Sequence, residues 1–200
     1  AEKRDVVLAR RWARLFEGTA ASPDAVTTAG RGLLARWAEP HRHYHDPAHL
    51  LAVLESVDLL ERAGAKAGPD PRAVRLAAWF HDAVYDGRPG ADEEASARLA
   101  EEQLDPVLPD TVVGETARLV RLTASHSPEA GDLSGAVLVD ADLEVLGREP
   151  ALYRRYAEQV RRDYAHVPED QFRAGRAQVL RRLLEVPELF RTASGRRLWE

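Results

Sequence analysis

The 200-residue sequence has no cysteine and no methionine, and it also lacks isoleucine and asparagine. Without thiols, disulfides, thiolate metal sites and cysteine nucleophiles are excluded. No apolar run approaches the ~18 residues of a membrane-spanning helix. The opening stretch AEKRDVVLARRWARLF has arginines breaking its apolar residues. It does not read as a signal peptide, and the cytoplasm is the expected compartment. A positive balance is missing too: 28 Lys and Arg stand against 33 Asp and Glu, a net charge of -5. That argues against a general nucleic-acid surface. The charge is uneven, acidic from Asp82 to Glu115 and rich in arginine from Arg154 to Arg197. Solvated helix faces are the plain reading, and late arginines that reach an anionic substrate are the sharper one. The missing residue types, with Arg supplying nearly every basic residue, reflect codon usage and carry no mechanism.

Most of the chain has helical periodicity. With 44% hydrophobic residues it suffices for one domain with its own core. SPDAVTTAGRGLLARWAE starts on Ser22 as N-cap with Pro23 in the first turn, weakened by Gly30 and Gly32. DPAHLLAVLESVDLLERAG repeats the device with Asp46 and Pro47, and PDPRAVRLAAWFHDAVYD with Asp70 and Pro71. AVLVDADLEVLG is apolar enough for a strand, but Asp142 to Gly147 continues at helical spacing, so a helix is expected. Two amphipathic helices follow, each with a proline near its start, and PELFRTASGRRLWE makes a last short turn or helix. No hairpin signal occurs. The expected class is all-α, a single multi-helix domain over residues 1–200, with helices over 150–195 packed on a motif-bearing core at about 37–147.

Six of the seven histidines lie at helix ends or beside apolar runs: His41, His43, His45 and His49, then His81, then His126. Asp46, Asp82, Asp86, Asp140 and Asp142 accompany them. Neutral imidazoles with carboxylates form the donor set for borderline or hard divalent metals. A carboxylate within VLVDADLEVLG would be buried at a cost of several kcal/mol unless paired or ligating, by order of magnitude. The pair His81-Asp82, closing the apolar run AAWF, suits a metal held in a rigid, dry place, and His49 and Asp142 are the donors expected from distant segments.

The pattern His49, His81-Asp82, Asp142 resembles the HD-domain superfamily of metal-dependent phosphohydrolases. The blocks HRHYHDPAHL, AAWFHDAVYD, DEEASA, LTASHS and VDADLEVLG, with YRRYAEQVRRDYAHVP and FRAGRAQVLRRLL after them, resemble the bacterial subgroup labelled predicted HD phosphohydrolases, from about Trp37 to the end. The resemblance implies an HD-type helical fold with the metal site between core helices, and His49, His81, Asp82 and Asp142 as metal ligands. The choice of Asp142 over Asp140 follows the family's Ala-Asp context. Asp140 is then a group orienting a histidine, or else an N-cap. His126 matches an extra histidine of some HD proteins, there for a second metal or the substrate phosphate; its plain alternative is a histidine at a helix C-terminus. His45 has a similar role or bonds backbone near the helix start. The run HDAVYD also resembles alarmone pyrophosphohydrolases, but Tyr85 stands where the first acid of their pair is expected, which speaks against that substrate. RRLWE is an abrupt ending beside the family.

The implied activity is hydrolysis of a phosphate ester or anhydride of a small molecule, such as a nucleotide, with one or two divalent ions (Mn, Ni, Co, Zn, Fe or Mg) activating water. Asp82 or Asp86 would accept the water's proton and His126 or His45 would protonate the leaving oxygen. Arg42, with Arg161 or Arg176, would clamp the phosphate, while Glu93 and Ser96 support the metal shell. A small phosphorylated partner is expected, a homodimer is left open, and membrane or long nucleic acid is not expected. Two competing readings are an HD-fold di-iron oxygenase and a non-catalytic metal- or ligand-binding regulatory module.

Overall fold

The computed structural model describes residues 2–200 and is all-helical, with no strand among them. The helices are α1 (Glu2–Arg14), α2 (Pro23–Trp37), α3 (Pro47–Arg62), α4 (Pro71–Phe80), α5 (Ala91–Leu104), α6 (Asp110–Leu122) and α7 (Leu133–Asp142). A 3-10 helix (Leu143–Gly147) follows, then α8 (Pro150–Asp163), α9 (Glu169–Glu185) and α10 (Ala193–Trp199). No described helix is long and apolar enough to cross a membrane.

The starts follow from local chemistry. Ser22, Asp46 and Asp70 each accept a backbone N–H of the first turn while proline occupies the position after them. The ends are set at longer range. The expected helix through Asp86 stops at Phe80, and residues 81–86 form a turn instead. The helix expected to continue to Gly147 tightens to 3-10 after Asp142, and it begins earlier than AVLVD, at Leu133, where Asp132 accepts from the Gly135 amide.

α4 lies at the centre, packed by α3, α5, α6 and α7, and α1 closes the core over α2 and α3. Trp12, Trp37, Trp79, Phe80, Leu50 and Leu54 are fully or almost fully buried; a side chain of this size contributes about 1.5–3 kcal/mol on burial. The indoles also carry polar links: Trp12 Nε1 donates to Val26 O at 2.7 Å, and Trp37 Nε1 to Trp79 O at 3.0 Å. Gly30 is more than a weak point of α2, because a Cβ there would lie 2.5 Å from Trp12 Cδ1. Of the C-terminal helices, α8 and α10 rest on the 3-10 helix, and no residue of α9 is buried.

Two predictions follow from the packing. Gly30→Ala forces the buried Trp12 ring to move and is expected to cost about 1–3 kcal/mol. Gly32→Ala, with nothing within 4 Å of its Cβ, is expected to gain up to about 1 kcal/mol. Urea midpoints of the two variants moving in the same direction would contradict this. At Asp58 burial raises the carboxyl pKa, but hydrogen bonds from Arg75 and Arg11 outweigh it, and the net effect is a lowered value. A lowered folded value gives stability that is present above the unfolded pKa and lost as pH falls through the folded one. Asp58→Asn is therefore expected to lower stability at pH 7 and to flatten its decline on acidification, read from denaturation midpoints between about pH 5 and pH 2.

Candidate metal centre

Three helix ends meet in the core. Asp46 accepts the amides of Ala48 (2.7 Å) and His49 (3.2 Å), which fixes His49 in the first turn of α3. His81 follows the last residue of α4 and still donates its amide to Ala77 O at 2.8 Å. Asp142 is the last residue of α7. His49 Nε2 lies 3.2 Å and His81 Nε2 3.5 Å from Asp142 Oδ1. Asp82 Oδ2 is 3.1 Å from His81 Nε2 and 3.9 Å from His49 Nε2. The imidazoles are almost fully buried against Trp37, and Tyr44 stacks near His49 with ring centres 4.7 Å apart.

The set fits a cation. His81 Nδ1 lies 2.8 Å from Ala78 O; a carbonyl only accepts, so Nδ1 carries the proton and the neutral ring presents a lone pair at Nε2. His49 Nε2 and His81 Nε2 are buried and have no hydrogen-bond partner, an arrangement that costs about 1–3 kcal/mol per group unless something else binds there. Donors each bonding one ion at about 2.1 Å lie roughly 3.0–3.4 Å apart, close to the separations seen. Ligand atoms of His49, His81 and Asp142 all fall within 4.8 Å of one another. The electrostatics agree. Burial pushes the Asp82 and Asp142 carboxyls up, but the charge of a protonated His81 and the hydrogen bonds from the surrounding imidazoles together outweigh it, and both are held low. Burial pushes His81 down, and the two carboxylates outweigh it and hold His81 well above the usual histidine range. The cluster thus calls for positive charge among its donors.

The other expected residues divide. His126 belongs to the site: its Nε2 is 2.7 Å from Asp142 Oδ2, the oxygen facing away from His49. It has φ 51°, the left-handed region, which costs a non-glycine residue about 1–3 kcal/mol. His45 lines the same cavity, as does Glu93, whose carboxylate also caps α5 at the Gly90 amide (2.5 Å). Asp86 does not belong. Because the chain leaves the helix at Phe80, its carboxylate points outward and pairs with Arg88 at 2.5 Å, which corrects the expected catalytic role. Asp140 orients no histidine and caps neither end of α7. It is fully buried and accepts from Arg191 N (2.6 Å), Thr192 N (2.8 Å) and Thr192 Oγ1 (2.7 Å), anchoring the approach to α10.

Arg42 is no phosphate clamp. Its buried guanidinium donates to Asp82 O at 2.6 Å, Ala83 O at 3.3 Å and Glu39 Oε2 at 3.1 Å. Ser96, fully buried, is bonded to both the amide (3.0 Å) and the carbonyl (3.3 Å) of Val84 rather than to the metal shell. His41 donates from Nε2 to Tyr85 O at 2.8 Å. Arg161 is occupied by Glu169, Tyr164 O and Val167 O.

Two buried acids that organise loops, Asp92 and Asp163, are absent from the sequence-based expectations. Asp92 accepts the amides of Asp86 (2.9 Å) and Arg88 (2.8 Å), closing the turn after the His-Asp pair. Asp163, near the end of α8, accepts the amides of His43, Tyr44 (3.2 Å) and His45 (3.3 Å), and also His45 Nδ1 at 2.7 Å. The available signal was an acid set among arginines in YRRYAEQVRRDYAHVP.

A cavity of about 500 Å³ opens on the cluster. His45, His81, Asp82, His126 and Asp142 line one part of it, Tyr85, Tyr156 and Tyr164 another, and Arg176 and Arg182 of α9 face it from outside the core. Arg176 donates to Tyr156 OH at 2.7 Å and lies over that ring.

Arg42→Lys keeps the charge but loses the fork that holds two consecutive carbonyls. The expected loss is about 1.5–3 kcal/mol, a drop of several degrees in thermal midpoint at about 2–4 °C per kcal/mol for a chain of this size. An unchanged melting curve would show that the fork does not hold the turn. Comparison of the chain with protein-family models, curated proteins and solved structures gave no match in any of the three.

Proposed function

We propose that the chain is a metal-dependent phosphohydrolase acting on a small phosphorylated molecule, the activity implied by its resemblance to HD-domain proteins. One observation carries the reading: two buried, unpartnered imidazole nitrogens converge with two carboxylates, and His81, Asp82 and Asp142 of this set line a 500 Å³ cavity. In this reading His49, His81, Asp82 and Asp142 hold a divalent transition metal. When bound, the ion supplies positive charge and Lewis acidity at a phosphoryl group. The remaining work belongs to the chain. Asp82 accepts a proton from the attacking water. Arg176 and Arg182 attract an anionic substrate to the mouth. The tyrosine walls exclude water from the reacting end, and the cavity volume suits a nucleotide-sized molecule rather than a polymer.

A second reading has an observation of its own. Asp142 faces His49 and His81 with one oxygen and His126 with the other, an arrangement suited to two ions. It is compatible with a two-metal hydrolase and with a di-iron oxygenase. Elemental analysis separates them. Protein purified without chelator is expected to carry about one or two Mn, Ni, Co, Zn or Mg per chain and to hydrolyse members of a phosphate-ester and nucleotide panel. The His81→Ala/Asp82→Ala double variant is expected to lose both properties while keeping its helical circular-dichroism spectrum. About two irons per chain with no phosphatase activity would favour the oxygenase. No metal in either protein after reconstitution would sink both in favour of a non-catalytic module.

A further inference from the structure

Hydrolysis of an unactivated phosphate ester needs a proton delivered to the leaving oxygen. Of the two histidines placed at the cavity besides the ligands, His126 spends Nε2 on Asp142 at 2.7 Å. His45 is held differently. Its Nδ1 lies 2.7 Å from Asp163 Oδ2, and its ring stacks on Tyr85 with centres 4.2 Å apart and planes 28° from parallel. A carboxylate accepts and an imidazole N–H donates, so Nδ1 carries the proton and Nε2 is the free position of the neutral ring. Nε2 makes no hydrogen bond among the described residues, and His45 lines the cavity that holds His81, Asp82 and Asp142.

Asp163 would serve as a staple without the imidazole. It already gathers the amides of residues 43–45. The imidazole bond is nevertheless shorter than those from the Tyr44 and His45 amides, at 3.2 and 3.3 Å. The Asp163 side chain is completely buried. A buried carboxylate bonded to Nδ1 fixes both the tautomer and the plane of a proton-carrying histidine.

We propose that His45 is the proton donor to the leaving oxygen and that Asp163 is the positioning residue that holds it, a role that rests on the phosphohydrolase reading. In the step, the oxygen of water bonds to phosphorus and the phosphorus–oxygen bond to the leaving group breaks. His45, protonated at both nitrogens, gives its Nε2 proton to the leaving oxygen and keeps Nδ1–H on Asp163. The proton lost by the water passes to Asp82, then to solvent, and solvent reprotonates His45.

The test uses the leaving-group dependence of full-length, metal-loaded protein. Phenyl phosphate has a poor leaving group and needs the acid, whereas p-nitrophenyl phosphate has a good one and needs it little. His45→Gln is expected to lower kcat for phenyl phosphate about 100-fold or more and for p-nitrophenyl phosphate by less than about 5-fold, with metal content unchanged. Asp163→Asn is expected to shift the same ratio in the same direction. Nitrogen-15 NMR of the imidazoles, which needs no substrate, is expected to find His45 with its proton on Nδ1 in the wild type and not held there in Asp163→Ala. Equal losses on both esters, or a neutral wild-type His45 with its proton on Nε2 alone, overturns the role given to this pair and leaves the hydrolase reading standing. A wild type that turns over neither ester nor any member of the phosphate panel overturns the hydrolase reading and this role with it.

Discussion

Four consecutive carbonyls, those of Asp82, Ala83, Val84 and Tyr85, are bonded by side chains. Arg42 takes the first two, Ser96 the third and His41 the fourth. They exist as a problem because α4 stops at Phe80, inside the core, so that His81 and Asp82 can face across to α3 and α7. A buried carbonyl without a partner costs about 1–3 kcal/mol; the Ala83 carbonyl is bonded in a buried setting and the other three in part-buried ones. The segment ahead of α3 must therefore lie against the end of α4 to deliver Arg42 and His41, and α5 must lie beside it to deliver Ser96. Asp92, from the same helix, takes the amides of Asp86 and Arg88. The arrangement of helices around α4 is to this extent dictated by the termination of one helix.

The buried acids show how partners separate structure from chemistry. Asp140 is met by two amides and a hydroxyl, all fixed donors, and has no unfilled task beyond anchoring the C-terminal segment. Burial nonetheless raises its carboxyl pKa, and those donors only partly offset it. Asp142 is met by imidazole nitrogens, and at His81 the nitrogen concerned is the one without the proton in the neutral ring. Such a contact is favourable only if a proton or a cation lies between the groups. Asp163 stands between the two cases: three of its donors are backbone amides and the fourth is a histidine on the cavity wall.

Helix starts were legible in the sequence because a cap is local chemistry: Ser22-Pro23, Asp46-Pro47 and Asp70-Pro71 set the first turns of α2, α3 and α4, although Asp105-Pro106 and Ser127-Pro128 start no helix. The end of α4 was not legible, since the partners that draw residues 81–86 out of it are distant in sequence, whereas α2 and α3 end within two residues of Glu39 and Gly64 as expected. That single misplaced end accounts for the reading of Asp86, which a continuing helix would have stacked one turn beyond Asp82. Arg42 was misjudged for a related reason. An arginine among histidines suggests an anion, and nothing nearby in sequence reveals that its fork is filled by carbonyls 40 residues away. His49 and the His81-Asp82 pair were readable because they sit at helix ends in an apolar context, whereas the choice of Asp142 over Asp140 came from the resemblance; His49, His81 and Asp142 do come together. Asp92 and Asp163 were hidden because an acid on an amphipathic helix looks like any solvated position until a loop is folded over it.

The distribution of packing also bears on access to the cavity. The ligand set rests on α3, α4 and α7, whose apolar faces are sealed by the main core. α9 lends the cavity Arg176, Val179, Arg182 and Leu183 yet buries no residue, and its Leu184 is 85% exposed. Local opening is least costly where little apolar surface is sequestered. Little apolar surface therefore holds α9, which reaches the site through Arg176 on Tyr156 and Tyr156 on Tyr44. Burial is thus concentrated around the donor cluster and thinnest at the cavity mouth.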